Sequence, residues 1–101
     1  MAEPEIVFHP EAAEEYSEAF AWYAERSEEI ALRFEQEIEG ATGQIRESPD
    51  RWAAYDKVHR KINLPHYPYL LIYRQHRGRI WIVAVAHGHR RPGYWKDRSI
   101  E

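Results

Sequence analysis

The chain has no cysteine, a single methionine and no long hydrophobic run. Without cysteine there are no disulfides, no thiol nucleophile and no thiolate ligand for a metal. No segment approaches the ~18 apolar residues that suggest a transmembrane helix, and the N-terminus lacks the basic and apolar regions of a signal peptide. These absences exclude disulfide-stabilised and thiol-dependent proteins. They predict a cytoplasmic protein with no membrane partner.

The residues that are present suit one globular domain. The chain has 101 residues, of which 44% are hydrophobic and 31% are charged, as is typical of a folded protein rather than a disordered one. A chain of this length buries roughly 60–70% of its unfolded surface, which is enough for one core. We therefore expect a single domain over residues 1–101.

Positive charge is scarce in the first half of the chain and abundant in the second. Residues 1–50 contain three basic and fourteen acidic side chains, a net charge of −11, whereas residues 51–101 contain eleven basic and three acidic ones, a net charge of +8. If the halves form different faces, one face attracts polyanions and the other repels them. The alternative interpretation is that acidic helices merely balance basic strands within one compact body.

The first half has the pattern of a strand followed by two helices. Residues 5–9 are predicted to form the strand, and Pro10 suits the first turn of a helix, where its missing N–H has no partner. The first helix has an apolar face at spacings of three and four: Ala13, Tyr16, Phe20 and Tyr23. Ser27 is a typical N-cap for a second helix that runs to about Ser48. The apolar stripe of this second helix comprises Ile30, Phe34, Ile38, Ala41 and Ile45.

In the second half, the apolar residues recur with a period of two. After a loop at residues 50–56, strands are predicted at residues 58–64, 69–74 and 79–87, with a tight turn at Arg77 and Gly78. The last strand is almost entirely apolar, which places it at the centre of a sheet. The predicted fold is α+β, with two layers. An N-terminal strand and an α-helical hairpin pack on a mostly antiparallel sheet, in the order β-α-α-β-β-β.

The segment after the last strand concentrates side chains that can bind a polyanion. Residues 87–98 contain two histidines, four basic residues and an adjacent tyrosine and tryptophan. Arginine matches the geometry of phosphate, aromatic rings offer stacking faces, and histidine transfers protons near neutral pH. One interpretation is a polyanion site. The other is a solvated tail that Tyr94 and Trp95 anchor to the core.

Other candidate sites have less support. No carboxylate lies close in sequence to His87 and His89, so no metal and no cofactor is predicted. The adjacent glutamates at positions 14–15 and 28–29 are more typical of a solvated helix face than of an acid–base pair. The chain also lacks a glycine-rich phosphate loop and a nucleophile elbow.

Three segments carry a resemblance to a known family: FHPEAAEEYSEAFAWYAERS, INLPHYPYLLIYR and AVAHGHRRPGYWKDR. In order and spacing they resemble the RelE/ParE superfamily, the toxins of bacterial type II toxin–antitoxin modules. The resemblance spans nearly the whole chain. It implies a hetero-oligomer with a cognate antitoxin, whose C-terminal segment wraps the toxin, often with a helix along the helical hairpin and sometimes with a strand added to the sheet. We expect the antitoxin to bind at Trp22, Phe34, Ile38 and Ile45.

The superfamily contains two activities. RelE-like members cleave messenger RNA on the ribosome without a metal, whereas ParE-like members inhibit DNA gyrase. If this chain is a nuclease, the resemblance implies the catalytic residues Lys61, His87, His89, Arg90 and Tyr94.

Two positions depart from the nuclease pattern. Leu70 stands where an arginine is usual and Asn63 where a second lysine is usual, and leucine cannot stabilise the charge of a phosphorane. The resemblance therefore favours a ParE-like toxin that is not an enzyme. A RelE-like endoribonuclease and a degenerate member that only binds its antitoxin are the alternatives. In either toxic mechanism, we expect the target, gyrase or the ribosome with its messenger RNA, to contact a cationic and aromatic rim: Arg90, Arg91, Tyr94, Trp95 and Arg98.

Overall fold

The computed structural model describes residues 3–100, which form two helices on one face of a five-stranded sheet. The elements are β1 (Glu5–Phe8), α1 (Pro10–Arg26), α2 (Glu28–Glu47), β2 (Ala53–Ala54), β3 (Arg60–Asn63), β4 (Tyr69–His76) and β5 (Arg79–His87). The predicted α+β class and the order of the elements are confirmed. The two-residue β2 is an addition, because it lies within the segment predicted as a loop.

The strands lie in the order β1-β5-β4-β3-β2. β1 runs parallel to β5, and the other three pairs are antiparallel. β5 therefore lies inside the sheet, as its apolar sequence predicted, and residues 82–86 are buried. β1 ends at Phe8, which pairs with Ile82. Within residues 3–100, no strand continues beside the second half of β5 on that side.

Local sequence explains where the helices begin and end. At the start of α1, the Nδ1 atom of His9 accepts a hydrogen bond from the N–H of Glu11 at 3.0 Å. The hydroxyl of Ser27 accepts one from the N–H of Ile30 at 3.3 Å, as predicted for the N-cap of α2. Only Ser27 separates the two helices, so they form a tight hairpin. Neither helix in the described part of the chain is long and apolar enough to cross a bilayer.

The main core lies between the helices and the sheet, with Phe34 at its centre. This side chain is 0% exposed, and its ring centroid lies 5.2 to 5.8 Å from those of four tyrosines: Tyr16, Tyr23, Tyr67 and Tyr69. Two residues predicted for the buried helix faces are instead exposed. Ala13 is exposed and its neighbour Ala12 lies on the buried face of α1 instead. Ile30 lies in the exposed first turn of α2.

The C-terminal segment covers part of the sheet face opposite the helices. Trp95 is 2% exposed and packs there in a second cluster with Ile72, Val83, Ala84 and Ala86. The rings of Tyr55 and His59 lie 5.0 and 4.7 Å from the ring of Trp95. For Trp95, the structure therefore favours the interpretation in which aromatic residues anchor the tail.

Candidate functional site

A groove of about 470 Å³ lies between α1 and the ends of β4 and β5. Trp22 and Tyr23 line it on the helix side, and Tyr69, His87 and Arg90 line it on the sheet side. We call it the α1–β5 groove. It lies along the half of β5 that β1 does not reach, so it follows directly from the short length of β1.

Glu15, which also lines this groove, fixes the C-terminal segment to the body of the domain. Its carboxylate accepts hydrogen bonds from the N–H of Val85 (2.9 Å), the hydroxyl of Tyr94 (2.6 Å) and both Nη atoms of Arg98 (2.9 and 2.8 Å). Arg98 also donates to the carbonyl oxygen of Val83 at 2.9 Å. We call Glu15, Tyr94 and Arg98 the Glu15 clamp. The clamp satisfies backbone groups of β5 that an adjacent strand would otherwise pair.

The clamp also determines protonation states. Burial alone would raise the pKa of Glu15, but hydrogen bonds from Arg98, Tyr94 and Val85, together with the charge of Arg98, hold it below its ordinary value. Burial and the hydrogen bond to Glu15 raise the pKa of Tyr94 well above its usual range. At neutral pH the clamp is therefore a carboxylate, a neutral phenol and a guanidinium. Tyr94 is poorly suited to proton transfer.

Sequence reasoning missed the role of Glu15, which it assigned with Glu14 to a solvated helix face. Glu14 is exposed, but only 14% of the Glu15 side chain is exposed. Glu15 follows Ala12 by three residues and precedes Ala19 by four, and both alanines are buried in the structure, so Glu15 lies on their side of the helix. Its partners Tyr94 and Arg98 are about 80 residues away in sequence, and sequence periodicity does not relate such distant positions.

The cationic residues at the exit of β5 have two different roles. Arg90 and Arg91 are exposed, and the guanidinium carbon of Arg90 lies 3.8 Å from the ring centroid of Tyr94. Trp95 is buried in the second cluster and Arg98 is held by Glu15. The predicted target-binding rim is therefore corrected: Trp95 and Arg98 stabilise the fold, and Arg90 and Arg91 remain accessible.

Comparison with known proteins identifies the family. Residues 6–92 match the family described as the ParE toxin of type II toxin–antitoxin systems, parDE. The chain belongs to the ParE toxin family. Its structure is similar to a chain of the chromosomal ParDE toxin–antitoxin system from P. aeruginosa, with a TM-score of 0.72 and 17% identity, covering 84% of this chain and 96% of that chain. That similarity concerns the fold. No curated protein sequence matches significantly.

Three of the five residues that a nuclease would use, His87, Arg90 and Tyr94, line one small cavity in this ParE-family chain, and Lys61 and His89 do not line it. Lys61 and Asn63 flank Ile62, whose side chain packs toward the helices, so both lie on the opposite face of β3. His87 instead lines the α1–β5 groove, with its ring 5.1 Å from that of Tyr69. His89, exposed, lies edge-on to His87 at 5.1 Å. His87, the last residue of β5, also lines a smaller cavity beside Leu70 and Trp95 on the other face of the sheet, so it lies at the edge between the two faces.

Only one of the four predicted antitoxin-binding residues is at the surface of this ParE-family toxin. Trp22 is 53% exposed, and the guanidinium carbon of Arg26 lies 3.5 Å from its ring centroid. Phe34, Ile38 and Ile45 are buried, because this stripe of α2 faces the toxin's own sheet. The prediction is corrected for these three residues, which a partner cannot reach in the folded toxin.

The histidines do not form a metal site in the described part of the chain. Histidine, aspartate and glutamate side chains of residues 3–100 form no group of three or more that could hold a metal ion. The Nδ1 atom of His87 accepts a hydrogen bond from the N–H of His89 at 3.0 Å, so that nitrogen is already occupied. The groups near the groove are therefore suited to hydrogen bonding and ionic contact.

Proposed function

We propose that this protein is a ParE-like toxin that acts in the cytoplasm by binding and inhibiting DNA gyrase, and that a cognate antitoxin neutralises it. The proposal rests on membership of the ParE family. One structural observation favours binding over RNA cleavage: Leu70 pairs with Asn63 across β4 and β3, so two neighbouring positions where a RelE-like nuclease has cations carry none.

The region around β3 and β4 lacks groups that would stabilise a cleaving transition state. Leu70 pairs with Asn63 across the two strands, so an apolar side chain and a neutral amide stand where the nuclease pattern has cations. Removing one such electrostatic contact typically costs ~3–4 kcal/mol of transition-state stabilisation. Tyr94 does not compensate for these missing cations, because its hydroxyl donates a hydrogen bond to Glu15 and the pKa of Tyr94 is raised.

The accessible cations at the exit of β5 support a role in binding the target. Tyr94 is fixed by Glu15, and Arg90 stacks on the Tyr94 ring, so the guanidinium is held in place. A pre-positioned arginine loses little side-chain entropy when it pairs with an acidic group on a partner. We therefore assign Arg90 and Arg91 to the contact with gyrase.

Purified toxin is expected to inhibit DNA supercoiling by gyrase, and Arg90→Ala is expected to raise the inhibitory concentration about tenfold by removing one strong charged contact. Arg90→Ala should also relieve growth inhibition in cells. The matched control, Arg33→Ala, removes an exposed arginine on α2 and should change neither result. An unchanged thermal unfolding midpoint for both variants would show that each variant keeps the wild-type fold.

Primer extension on translated messages completes this test. If the toxin cleaves messages at codon positions and this cleavage requires Arg90, the gyrase proposal is wrong and the protein is an endoribonuclease. If induction of the wild-type chain without its partner leaves growth unchanged, the protein is a degenerate member that only binds its antitoxin. Inhibited supercoiling without cleavage supports the gyrase proposal.

We place the antitoxin on the surface that includes Trp22 and the α1–β5 groove. Trp22 is the most exposed large hydrophobic residue within residues 3–100, and its ring contacts Tyr23 edge-on at 5.2 Å. An apolar segment of the antitoxin can cover both rings.

Trp22→Ala is expected to weaken antitoxin binding by about thirtyfold, because buried tryptophans at interface centres contribute ~2 kcal/mol or more. Isothermal titration calorimetry with the antitoxin encoded beside the toxin gene measures this change. Leu32→Ala is the control, since it removes a similarly exposed apolar side chain from the outer face of α2. Unchanged affinity in Trp22→Ala would contradict the placement.

A further inference from the structure

A second cavity, which we call the notch, lies at the other end of the sheet, where β4 extends beyond the first residue of β3. β3 begins at Arg60, which pairs with Tyr73, whereas Arg74 and the two residues after it pair only with β5. The notch has a volume of about 310 Å³ and lies between this end of β4 and the segment 54–60. It shares no lining residue with the α1–β5 groove.

Both carboxylates that line this notch are already occupied. Asp50 accepts a hydrogen bond from the Nε2 atom of Gln75 at 2.8 Å. Asp56 accepts bonds from the N–H groups of Val58 and His59 at 2.9 and 2.7 Å, and its carboxylate lies 3.0 Å from the His59 ring. Burial alone would raise the pKa of Asp56, but these hydrogen bonds hold it below its ordinary value.

The cations that line the notch have fewer hydrogen-bond and ion-pair partners than the carboxylates. Arg60 donates to the carbonyl oxygen of Trp52 at 2.7 Å. Lys57 and Arg74 form no ion pair with any carboxylate of residues 3–100. The notch therefore has three cationic side chains, none of which forms an ion pair within residues 3–100, against two carboxylates that already have donors.

Arg74 is the notch cation whose hydrogen-bonding capacity is least used within residues 3–100. Its Nε atom is buried and has no hydrogen-bond partner within residues 3–100, and the Nε1 atom of Trp81 is the other buried side-chain nitrogen in that condition. Arg74 and Trp81 are paired directly across β4 and β5, so the two donors belong to neighbouring positions. Buried donors in native proteins nearly always have a partner, and leaving one without costs ~1–3 kcal/mol.

We propose that this notch binds a phosphate group, with Arg74 as its principal ligand and Lys57 as a second cation. The guanidinium fork matches two phosphate oxygens, and the remaining oxygens are available to Lys57 across the notch. A phosphate suits this arrangement better than a carboxylate, because its tetrahedral oxygens accept from donors on both sides. The site is separate from the surfaces assigned to gyrase and the antitoxin, so it does not depend on the proposed function.

The phosphate can come from two sources, which differ in charge. Free phosphate or a phosphate monoester is largely a dianion near pH 7, whereas a nucleic-acid phosphodiester is a monoanion. Inorganic phosphate and a dinucleoside monophosphate are therefore the two probes. Tighter binding of the first assigns the site to free phosphate or monoesters, and tighter binding of the second assigns it to nucleic-acid backbone.

The test follows the Arg74 Nε–H and Trp81 indole N–H signals by NMR during titration with each probe at constant ionic strength. Saturable shifts of the Arg74 signal with a Kd of about 1 mM or below are expected, and the neighbouring Trp81 signal should report the same event. In Arg74→Gln, followed at Trp81, binding should weaken at least tenfold; in Lys57→Gln it should weaken by a smaller factor. Arg77→Gln, in the β4–β5 turn outside the notch, should bind as the wild type does.

The proposal is overturned if neither probe gives saturable shifts, or if binding persists unchanged in Arg74→Gln. It is also overturned if Arg77→Gln weakens binding as much as Arg74→Gln, since that result shows only a general response to positive charge. Dispersed spectra of all three variants establish that loss of binding is not loss of folding.

Discussion

Replacing Phe34 with aspartate is expected to abolish the folded state. The ring is 0% exposed and lies among four tyrosine rings in the main core. Truncating a buried phenylalanine to alanine costs ~3–5 kcal/mol, and aspartate adds the cost of an unpaired buried charge. The total stability of a domain this size is only ~5–15 kcal/mol. Circular dichroism during urea unfolding measures the loss.

Leu32→Asp is the matched control for this prediction. Leu32 lies two residues earlier on the same helix and is 45% exposed, so introducing a charge there should cost no more than ~0.5–1 kcal/mol. The prediction fails if Phe34→Asp unfolds with the wild-type midpoint and loses only its affinity for the antitoxin. That outcome would mean that the Phe34 face of α2 is free to bind a partner.

Phe34 also illustrates what sequence periodicity can predict. The spacing of Phe34, Ile38 and Ile45 correctly predicts one buried face of α2, and the aromatic and β-branched residues of β4 and β5 correctly predict these two strands. A period shows that a face is apolar but does not show what covers it. Because the helices pack on a single sheet, their apolar stripe is covered by the toxin itself. The surface left for a partner is the one with Trp22.

Features that depend on where strands end could not be predicted from the sequence. The α1–β5 groove exists because β1 ends opposite Ile82, and the notch beside β4 exists because β3 begins opposite Tyr73. The turn predicted at Arg77 and Gly78 is confirmed, because both residues have positive φ (52° and 77°), as a two-residue hairpin requires. Relative strand length is set by pairing between distant segments, so local patterns do not encode it.

The Glu15 clamp carries the second large prediction. Glu15→Gln is expected to destabilise the toxin by ~3–5 kcal/mol, because it leaves the guanidinium of Arg98, whose side chain is only 10% exposed, without its buried partner. Glu14→Gln, at an exposed position in the same turn of α1, should change stability by ~0.5 kcal/mol or less. Urea unfolding of the three proteins at neutral pH measures both differences.

The size of this effect should depend on pH in one direction. The folded-state pKa of Glu15 lies below its ordinary value of 4.5, so the unfolded chain takes up the proton first as the solution is acidified. The stabilisation by Glu15 is therefore complete at neutral pH and is lost as the pH falls below 4.5, through the folded-state pKa. Asp56, whose pKa is also lowered, adds acid sensitivity that Glu15→Gln retains.

The difference in unfolding free energy between the wild type and Glu15→Gln should accordingly narrow as the pH is lowered from 7 toward 3. The difference between the wild type and Glu14→Gln should stay near zero throughout, because Glu14 is exposed. A gap for Glu15→Gln that remains constant over this range would contradict the clamp. It would mean that the substitution acts through packing alone, and that the charge of Glu15 does not hold Arg98 and the C-terminal segment in place.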